Sequence, residues 1–456
     1  MDKYKAIIIG SGQGGTPLSK KLAKAGWKTA IIEKEFIGGT CVNVGCTPTK
    51  TMIACARAAW MVDNAARFGV HASRATINLP KIVSIKNDVV HKFRNGSEKG
   101  LEKTENLTVI HGKATFSGAK TLQVSTSQGT SLELEGEYIF IDTGAHPAIP
   151  EIDGLDTISY LDSSSILDLE EVPEHLVIIG GNYIALEFGQ MFRRFGSRVT
   201  ILEKSARLLK REDEDIAKEM TKILKEDGIE FLFDTKAEKI RKTSGGFELT
   251  AGNNTTISGS HLLIAAGRTP NTADLNLSLP GVETDDKGYV TVNDKLETTA
   301  PGIYAVGDVK GGPAFTHISY NDYIVLVANL LEGENRSIAG RQVPYCVFTD
   351  PQLARVGMNV SEAVEAGKKF RVATLPMPRV ARAIETLETR GLMKAIVEEE
   401  SGEILGAAII GTEAGETMTI LQMAMLGGIK APQLREMIFA HPLYAESINN
   451  LFMTLE

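Results

Sequence analysis

The chain has 456 residues, of which 43% are hydrophobic and 23% are charged; this is the composition of an ordinary globular protein that is too long for one core. Its net charge of -8 argues against nucleic acid or an anionic membrane as the main partner. Four cysteines are too few for a secreted disulfide framework. We expect no signal peptide, because the start MDKYKAIIIG enters a strand almost at once. We also expect no membrane span, because no apolar run approaches the roughly 18 residues that cross a bilayer. We therefore expect a cytoplasmic protein.

The first predicted strand leads into a glycine pattern typical of a dinucleotide-binding turn. Residues 5–10 (KAIIIG) predict a buried parallel strand, and Gly10, Gly12 and Gly15 follow at GxGxxG spacing. A predicted helix, a second strand and Glu33 complete the unit. Such glycines let the backbone approach a pyrophosphate at the helix N-terminus, and the acid hydrogen-bonds a ribose hydroxyl. A glycine-rich turn without function is the alternative, which the complete order of elements disfavours.

Two cysteines lie five positions apart in the next segment, GGTCVNVGCTPTK. Pro48 suits the first turn of a helix, so Cys46 is predicted near a helix N-terminus, where the dipole favours a thiolate. With Cys41 close by, the pattern favours a disulfide that opens and closes during turnover. Two ordinary buried thiols, or half of a zinc site, remain open alternatives. Zinc needs about four ligands, and the other cysteines are Cys55 nearby and Cys346 far along the chain.

After this redox segment the sequence predicts helices over about 50–105 and then a β-rich stretch that ends at Thr143 and Gly144. The same strand–turn–helix–strand–acid order then recurs in HLVIIGGNYIALEFGQMFRRFGSRVTILEK.

The spacing of this second unit matches that of the first. Gly180 to Glu203 spans 23 positions, as does Gly10 to Glu33. Two such units imply two dinucleotides. Asn182 occupies the middle-glycine position of the second unit, and we expect the turn to survive because asparagine tolerates positive φ.

The remainder of the chain offers two further candidate sites. TTAPGIYAVGDV places Asp308 at the C-terminal end of a strand, where parallel sheets contact ligands; a simple helix cap is the alternative. From Val343 onward the pattern predicts an antiparallel sheet with covering helices and no phosphate signature. Near the end, His441 is followed by Glu446 in the first turn of the last predicted helix, a common acid–base pair. On the residues alone, a buried structural histidine is the better interpretation.

In this order the motifs resemble the pyridine nucleotide–disulfide oxidoreductase family, which includes glutathione reductase, lipoamide dehydrogenase and mercuric reductase. The resemblance implies an α/β fold with two Rossmann-like dinucleotide-binding domains and a C-terminal α+β dimerisation domain, as in glutathione reductase. The implied domains are an FAD-binding domain at 1–148 and 271–338, an NAD(P)H-binding domain at 149–270, and the dimerisation domain at 339–456. The implied assembly is a homodimer whose active sites span both chains.

The resemblance also implies the role of individual residues. Cys46 would face the flavin and Cys41 would attack the substrate, while His441 and Glu446 would serve the partner subunit. Tyr183 would cover the flavin until nicotinamide displaces it. The implied FAD-site residues are Gly10, Gly12, Gly15, Glu33, Thr40, Lys50, Gly112, Thr143, Gly144 and Asp308. The implied NAD(P)H-site residues are Gly180, Tyr183, Glu187, Glu203 and Gly267.

The implied reaction is hydride transfer from a nicotinamide through FAD to the Cys41–Cys46 disulfide and on to a small oxidant, with His441 handling the proton. Glu203 favours NADH, because a carboxylate hydrogen-bonds a ribose 2′-hydroxyl and repels a 2′-phosphate. NADPH remains possible because basic side chains follow closely. These are Lys204, Arg207, Lys210 and Arg211.

Departures from the family pattern limit which oxidants we expect. The chain ends in FMTLE, without the terminal cysteine pair of mercuric reductases, and it lacks their N-terminal metal-binding module. Phe439 stands where lipoamide dehydrogenases usually have a second histidine. The segments GPAFTHISYNDY and VPYCVFTDPQLARVG resemble the mercuric-reductase-like branch, which includes flavoproteins of the reactive-chlorine response that reduce copper(II). We expect a metal ion or a small disulfide as oxidant.

Other interpretations remain beside this one. The alternative enzyme is a dihydrolipoamide dehydrogenase of a 2-oxo acid dehydrogenase complex, and a more remote alternative is a non-catalytic redox sensor. The thirteen methionines, Met377 and Met393 among them, are scattered, so we expect them to pack in cores rather than bind soft metals. No resident metal site is predicted.

Overall fold

The computed structural model describes residues 1–252 and 255–455. The strands, numbered in chain order, are β1 (Asp2–Ile9), β2 (Thr29–Glu33), β3 (Leu107–Phe116), β4 (Thr121–Thr126), β5 (Ser131–Ile141), β6 (Ala145–Pro147), β7 (His175–Ile179), β8 (Arg198–Leu202), β9 (Ile229–Leu232), β10 (Ala237–Thr243), β11 (Gly246–Ala251), β12 (Thr256–Gly259), β13 (His261–Ile264), β14 (Arg268–Pro270), β15 (Ile303–Ala305), β16 (Tyr345–Val347), β17 (Gln352–Gly357), β18 (Phe370–Pro376), β19 (Leu392–Glu398) and β20 (Ile404–Gly411).

The α-helices, numbered in the same way, are α1 (Gly15–Lys24), α2 (Gly39–Asn43), α3 (Cys46–Asp63), α4 (Leu79–Glu102), α5 (Tyr183–Phe195), α6 (Glu214–Glu226), α7 (Thr316–Leu331), α8 (Val360–Glu365), α9 (Ala381–Glu385), α10 (Ala414–Leu426), α11 (Ala431–Glu436) and α12 (Ser447–Met453). Among the described residues no helix is both long and apolar enough to cross a membrane.

The chain forms two compact regions, each assembled from separate stretches of sequence. Region 1 comprises Met1–Thr51, Lys81–Ala148 and Gly267–Arg341. Region 2 comprises Met52–Pro80, Ile149–Ala266 and Gln342–Glu456. The four-segment division into functional domains stays a prediction.

Region 1 contains a sheet in which β1 pairs in parallel with β2 and β5, and β5 pairs in parallel with β15. The register sets Ile9 opposite both Ile32 and Ile141, and Ile141 opposite Ala305. The residues that follow these strands therefore meet at one carboxyl edge of the sheet. This edge is where open parallel sheets bind ligands.

The strands of this sheet are apolar on both faces because both faces are covered. On one face, fully buried Ile7 packs with Phe116 and other sheet residues. On the other face, fully buried Ile8 packs with Leu18 and Leu22 of α1. Burial on both sides explains the short run of β-branched residues in the first strand.

Region 2 contains a second parallel sheet in the order β13–β7–β8–β9. Its register sets Ile179 opposite Leu202 and Ile264, so this sheet also has one carboxyl edge. An antiparallel sheet of β10, β11 and β12 accompanies it.

The C-terminal part of region 2 is an antiparallel sheet in the order β16–β17–β20–β19–β18, with α10 packed against β17 and β20. Met377 and Met393 are buried in its core together with Met418. The predicted antiparallel sheet with covering helices is confirmed, as is the packing of these two methionines.

Candidate active site

The first nucleotide turn (Gly10–Gly15) joins β1 to α1 at the carboxyl edge of region 1. Gly10 has φ +103°, and a Cβ atom there would overlap the carbonyl oxygen of Asp142. Only glycine fits a left-handed position with this close backbone contact. The turn presents the start of α1 at the sheet edge, an arrangement that suits a phosphate group.

Glu33 ends β2 beside this turn and is buried. Its Oε2 accepts hydrogen bonds from the backbone N–H of Ser11 at 3.0 Å and from the Ser11 hydroxyl at 2.6 Å. Its Oε1 accepts the N–H of Glu35 at 2.9 Å. The carboxylate is therefore fixed in one orientation, as recognition of a ribose hydroxyl requires. The serine that fixes it lies in an x position of the glycine pattern, which is why the sequence gives no signal for it.

Asp142 follows β5 and lies directly behind the same turn. Its Oδ2 accepts the backbone N–H of Gly15 at 2.7 Å. Burial raises the pKa of Asp142 well above its ordinary value; the N–H of Gly15 opposes this rise and the nearby acids add to it. Sequence reasoning missed this residue, because nothing in EYIFIDTGAHP distinguishes a buried acid from a solvated one at a strand end.

Asp308 lies inside a short 3-10 turn, Gly307–Lys310, after β15. Its Oδ2 is 3.7 Å from Nε of Arg268. Burial raises the pKa of Asp308, and the positive charges of Arg268 and Lys310 oppose the rise. The side chain caps no helix, since Val306 is the N-terminal flanking residue of this turn and makes no side-chain cap. The helix-cap interpretation of Asp308 is therefore wrong.

The turn that carries Asp308 is held by a fully buried acid of α7 that the sequence did not reveal. Asp322 accepts the N–H of Gly307 at 2.9 Å and lies 3.3 Å from Nζ of Lys310. Its other oxygen accepts from Arg341 at 2.6 Å. Two cations and one amide thus compensate the buried charge and fix the turn.

The two cysteines are brought together by a reversal between α2 and α3. A Cβ atom on Gly45 would lie 2.8 Å from the carbonyl oxygen of Thr40 and 3.2 Å from Cα of Cys41, so the chain can fold back this closely only with glycine there. Helix α3 begins at Cys46, and Pro48 occupies its first turn. The predicted helix N-terminus at Cys46 is confirmed.

The sulfur atoms of Cys41 and Cys46 interact. Both residues are free thiols, with Cys41 half-buried and Cys46 exposed. The side-chain hydrogen bond with Cys46, followed by burial, raises the pKa of the Cys41 thiol far above its ordinary value. The hydroxyl of Thr316 lies 3.2 Å from Sγ of Cys46 and acts in the opposite direction on the pKa of Cys41. Thr316 begins α7, and no spacing rule connects it with cysteines 270 positions earlier.

The alternatives for the cysteines are not supported by this geometry. An exposed thiol at a helix N-terminus beside a second thiol is not a pair of ordinary buried cysteines. Within residues 1–252 and 255–455, no group of three or more His, Cys, Asp or Glu side chains is placed to hold a metal ion.

The other predicted FAD-site residues lie in region 1 with different surroundings. Thr40 is exposed on α2, and Lys50 lies on α3 one turn after Cys46. Gly112 lies in β3, where a Cβ atom would be 2.6 Å from the carbonyl oxygen of Ser125. Because β4 approaches this closely, the packing of the two strands by itself explains why residue 112 is glycine.

Thr143 and Gly144 are tied to the loop after β14. The Thr143 hydroxyl donates to the carbonyl of Asn271 at 2.8 Å, and the side chain of Asn271 returns a hydrogen bond to the Thr143 carbonyl at 2.7 Å. The N–H of Asn271 donates to the carbonyl of Gly144 at 3.0 Å. These contacts hold the end of β5, and hence Asp142, at the carboxyl edge.

The second nucleotide turn (Gly180–Ala185) repeats the backbone frame of the first within region 2. Gly180 has φ +115°, and a Cβ atom there would overlap the carbonyl oxygen of Ala265. Glu203 accepts the N–H of Gly181 at 2.7 Å through Oε2. Its Oε1 accepts from the N–H and the hydroxyl of Ser205 at 2.9 and 2.6 Å. The acid is oriented as Glu33 is in region 1.

The turn survives with Asn182 in place of the middle glycine, as expected, but not for the reason expected. Asn182 has φ -98° and ψ 175°, so it is extended rather than left-handed. The positive φ of the turn belongs to Gly180, and the tolerance of asparagine for that conformation is not used.

The remaining predicted nucleotide residues are placed as follows. Tyr183 is the first residue of α5 and is half-buried. Glu187 is buried on the same helix, and its Oε1 accepts the N–H of Phe348 at 2.8 Å. Gly267 has φ +145°, and its carbonyl accepts the N–H of Ala148 at 3.0 Å. Sequence reasoning did not anticipate the contact between Glu187 and the C-terminal segment.

His441 and Glu446 form a pair at the surface of region 2. Nδ1 of His441 lies 2.9 Å from Oε2 of Glu446, and the histidine side chain is 67% exposed. A buried structural histidine is therefore the wrong interpretation. Glu446 is the residue just before α12 rather than part of its first turn. Ile438, which is 95% exposed, and Leu443, which is 48% exposed, stand nearby in sequence, and exposed apolar side chains of this kind mark interaction surfaces.

Comparison with known proteins gives matches over the whole chain. The family "Pyridine nucleotide-disulphide oxidoreductase" matches residues 4–322, and the dimerisation domain of that family matches residues 343–452. The chain is 39% identical to "Probable pyridine nucleotide-disulfide oxidoreductase RclA" of Escherichia coli over 99% of both chains. It is 34% identical to the mercuric reductase of Streptomyces lividans, over 98% of this chain and 94% of that one.

A solved structure agrees with these matches. The "Cu(II) complex of HOCl-induced flavoprotein disulfide reductase RclA from Escherichia coli" superposes with a TM-score of 0.92 at 39% identity, covering 100% of both chains. The chain therefore belongs to the pyridine nucleotide-disulphide oxidoreductase family. The predicted fold class, with nucleotide-binding domains and a dimerisation domain, is confirmed, and so is the enzyme class.

Proposed function

We propose that this flavoprotein oxidises NADH and passes the electrons through Cys41 and Cys46 to a small oxidant, with a metal ion such as copper(II) preferred to a disulfide. The observation that carries the proposal is the pair of interacting thiols at the start of α3, one of them exposed. The relative with 39% identity over the whole chain has a structure described as a Cu(II) complex, which supports this choice.

The residues of region 1 fit FAD. The left-handed Gly10 turn, the start of α1 and the fixed carboxylate of Glu33 suit the adenosine diphosphate half. Asp308, held at the same edge, suits the ribityl chain. Bound FAD would supply two-electron exchange between a nicotinamide and a thiol pair. We assign supporting positions around it to Gly12, Gly15, Thr40, Lys50, Gly112, Thr143 and Gly144.

The second nucleotide turn fits NADH better than NADPH. Glu203 is held by Gly181 and Ser205 at the position of a ribose-binding acid, where its charge would repel a 2′-phosphate. The guanidinium of Arg207 donates to the backbone carbonyls of Glu212 and Lys210, so it is already engaged. We assign nicotinamide-nucleotide contacts to Gly180, Tyr183, Glu187, Glu203 and Gly267.

The thiol pair carries two electrons per turnover. When two Cu(II) ions are the oxidant, each is reduced to Cu(I), one S–S bond forms between Cys41 and Cys46, and two protons are released. Because its pKa is raised, Cys41 stays protonated near neutral pH and needs a base before it can react. His441, oriented by Glu446, is the base that we assign.

We propose that the protein is a homodimer in which His441 of one chain serves the cysteine pair of the other. Residues 343–452 match a dimerisation domain, and apolar side chains surround the exposed histidine in sequence. If sites are shared, a heterodimer of a His441→Ala chain and a Cys41→Ser chain should hold one intact site and about half the activity of the wild-type dimer, and a randomly paired 1:1 mixture should show about a quarter. Mixed dimers without activity would refute the shared site.

The test of the oxidant is NADH consumption by purified protein with copper(II), mercury(II), lipoamide or glutathione disulfide. We expect turnover of metal ions that disappears in Cys41→Ser and survives in Cys55→Ser, a matched change on α3. Fast NADH consumption with lipoamide and none with metal ions would instead identify a dihydrolipoamide dehydrogenase and refute the proposed oxidant. Loss of activity in both serine variants would refute the assigned role of the cysteine pair.

A further inference from the structure

Asp142 and Ala265 occupy equivalent positions behind the two nucleotide turns. Asp142 follows β5, and its N–H donates to the carbonyl of Ile9 at 2.8 Å. Ala265 follows β13, and its N–H donates to the carbonyl of Ile179 at 2.9 Å. Each residue's carbonyl oxygen is also the atom that a side chain on Gly10 or Gly180 would overlap. The two frames thus differ at this position by one carboxyl group.

The glycines of the first turn surround that carboxyl group. Cβ atoms on Gly12, Gly14 and Gly15 would lie 2.8, 3.3 and 2.7 Å from its oxygens. In the second turn, where alanine replaces the acid, all three positions carry side chains. They are Asn182, Ile184 and Ala185. The glycines of the first turn therefore leave space for the carboxyl group of Asp142 as well as for a phosphate ligand.

The charges around Asp142 oppose its ionisation. The acids that face it are Glu33 from β2, Asp308 from the turn after β15, and Asp322 from α7. The cations of this edge are committed to other acids: Arg268 to Asp308, and Lys310 and Arg341 to Asp322. In the described part of the chain Asp142 makes no ion pair, and its polar contact is the N–H of Gly15.

We propose that Asp142 is a proton-linked positioning residue of the flavin site: its neutral carboxyl group orients the Gly15 N–H and admits the pyrophosphate of FAD, whereas its carboxylate repels it. This inference rests on the proposed binding of FAD in region 1. A carboxylate at this place would occupy the start of α1 with a charge of the same sign as the ligand. The raised pKa of Asp142, caused mainly by burial, agrees with the neutral form.

The sign of the pH dependence follows from linkage. A dianionic ligand beside Asp142 raises its pKa further, so binding takes up a proton wherever free Asp142 is ionised. FAD affinity should therefore fall as pH rises through the pKa of Asp142 in the FAD-free protein. One linked proton allows a fall of at most about tenfold per pH unit.

The experiment measures FAD released by the holoenzyme on dilution, from the recovery of flavin fluorescence at pH values between about 6 and 9. The wild type should release more FAD as pH rises. Asp142→Asn keeps an oxygen for the Gly15 N–H and cannot ionise, so its FAD affinity should lose this slope and exceed the wild-type affinity at high pH. Asp274→Asn, a change at an exposed acid of region 1, should keep the wild-type slope.

A second readout does not need FAD. Because the folded pKa of Asp142 lies above the unfolded value, its contribution to stability is complete at low pH and is lost as pH rises toward the folded pKa. Thermal unfolding of the FAD-free full chain should give a higher Tm for Asp142→Asn than for the wild type at neutral pH, with the difference vanishing near about pH 4.

The outcomes separate the two proposals. The inference would be overturned if the wild type and Asp142→Asn bound FAD with the same pH slope and the variant had the lower Tm. That result would mean that Asp142 is an ionised helix cap. A wild type that binds no FAD at any pH would instead refute the proposed flavin site, while the Tm comparison would still report the protonation of Asp142.

Discussion

The two nucleotide turns share a backbone frame but differ in what lies behind it. Each has one left-handed glycine pressed against a carbonyl oxygen and one acid fixed by backbone N–H groups. The first turn has further glycines around Asp142, and the second carries side chains at the three corresponding positions of its sequence. The comparison shows that different neighbouring groups exclude a side chain at the different glycines of one motif. Gly10 and Gly180 are required by the backbone, whereas Gly12 is required by a side chain.

The segments that follow the two acids differ as well. Glu33 leads within a few residues to the reversal that joins Cys41 and Cys46. Glu203 is followed by a basic loop in which the guanidinium of Arg207 donates hydrogen bonds to backbone carbonyls of the same loop. The same frame is thus followed by two neighbouring thiols in region 1 and by no cysteine in the basic loop of region 2.

The largest effect should come from removing the thiols that distinguish the first unit. Cys41→Ser should lower oxidant turnover by at least about 10³-fold, because in the proposed reaction this residue both reacts and closes the disulfide. Reduction of the flavin by NADH should continue, which stopped-flow absorbance can measure. Lys204→Ala, in the loop that follows the second acid, should leave turnover within about twofold. Equal losses in the two variants would contradict the assignment of the chemistry to the first unit.

The shared frame can be broken separately in each unit. Gly10→Ala and Gly180→Ala each place a side chain at a left-handed position with no space for it, at a cost of about 1–3 kcal/mol from backbone conformation alone. If all of this cost falls on binding, it corresponds to a loss of ligand affinity of roughly 5- to 150-fold. Gly10→Ala should release FAD, whereas Gly180→Ala should retain FAD and bind NADH weakly. Flavin content and NADH titration of the same preparations distinguish the two, and FAD loss in both variants would show that the units are not separable.

The dependence of Gly12 on Asp142 can be tested by a double-mutant cycle. Gly12→Ala should weaken FAD binding by about 1–2 kcal/mol, because its Cβ atom would meet an oxygen of the Asp142 carboxyl group. In an Asp142→Ala background, which imitates the second unit, most of that cost should disappear. Additive effects would mean that the ligand alone requires glycine at this position. Asn182→Gly is the matched change in the second turn and should alter NADH affinity by no more than about twofold.

The smallest effect concerns the choice of nicotinamide nucleotide. Glu203→Ala should raise the KM for NADH about five- to tenfold and lower the KM for NADPH, because the repulsion of a 2′-phosphate is removed. Glu33→Gln should leave the ratio of the two KM values unchanged, since that acid belongs to the FAD turn. An unchanged NADH-to-NADPH ratio in Glu203→Ala would contradict the proposed preference for NADH.

Several features followed from residue spacing alone. The distance from Gly10 to Glu33, and its repeat from Gly180 to Glu203, predicted two turns whose geometry is now seen. Pro48 predicted the helix that starts at Cys46. Each of these depends on hydrogen bonds and backbone angles within about 30 consecutive residues, which local sequence controls.

Other features became visible only with strand pairing and helix packing. Thr316 reaches the cysteines, Asp322 holds the turn of Asp308, and Glu187 binds the N–H of Phe348, over separations that no local pattern records. The exposure of His441 likewise does not follow from its local sequence, which on the residues alone favoured burial.

The sequence by itself therefore determined the family, the two turn-and-acid units and the closeness of Cys41 to Cys46, because those rest on short-range geometry. Only the tertiary structure decided which residue stands behind each turn. That depends on which strand is the neighbour of the first one, and so on pairings such as Ile9 with Ile141 and Ile179 with Ile264. These pairings join residues more than 80 positions apart, and they place a carboxyl group in one site and a methyl group in the other.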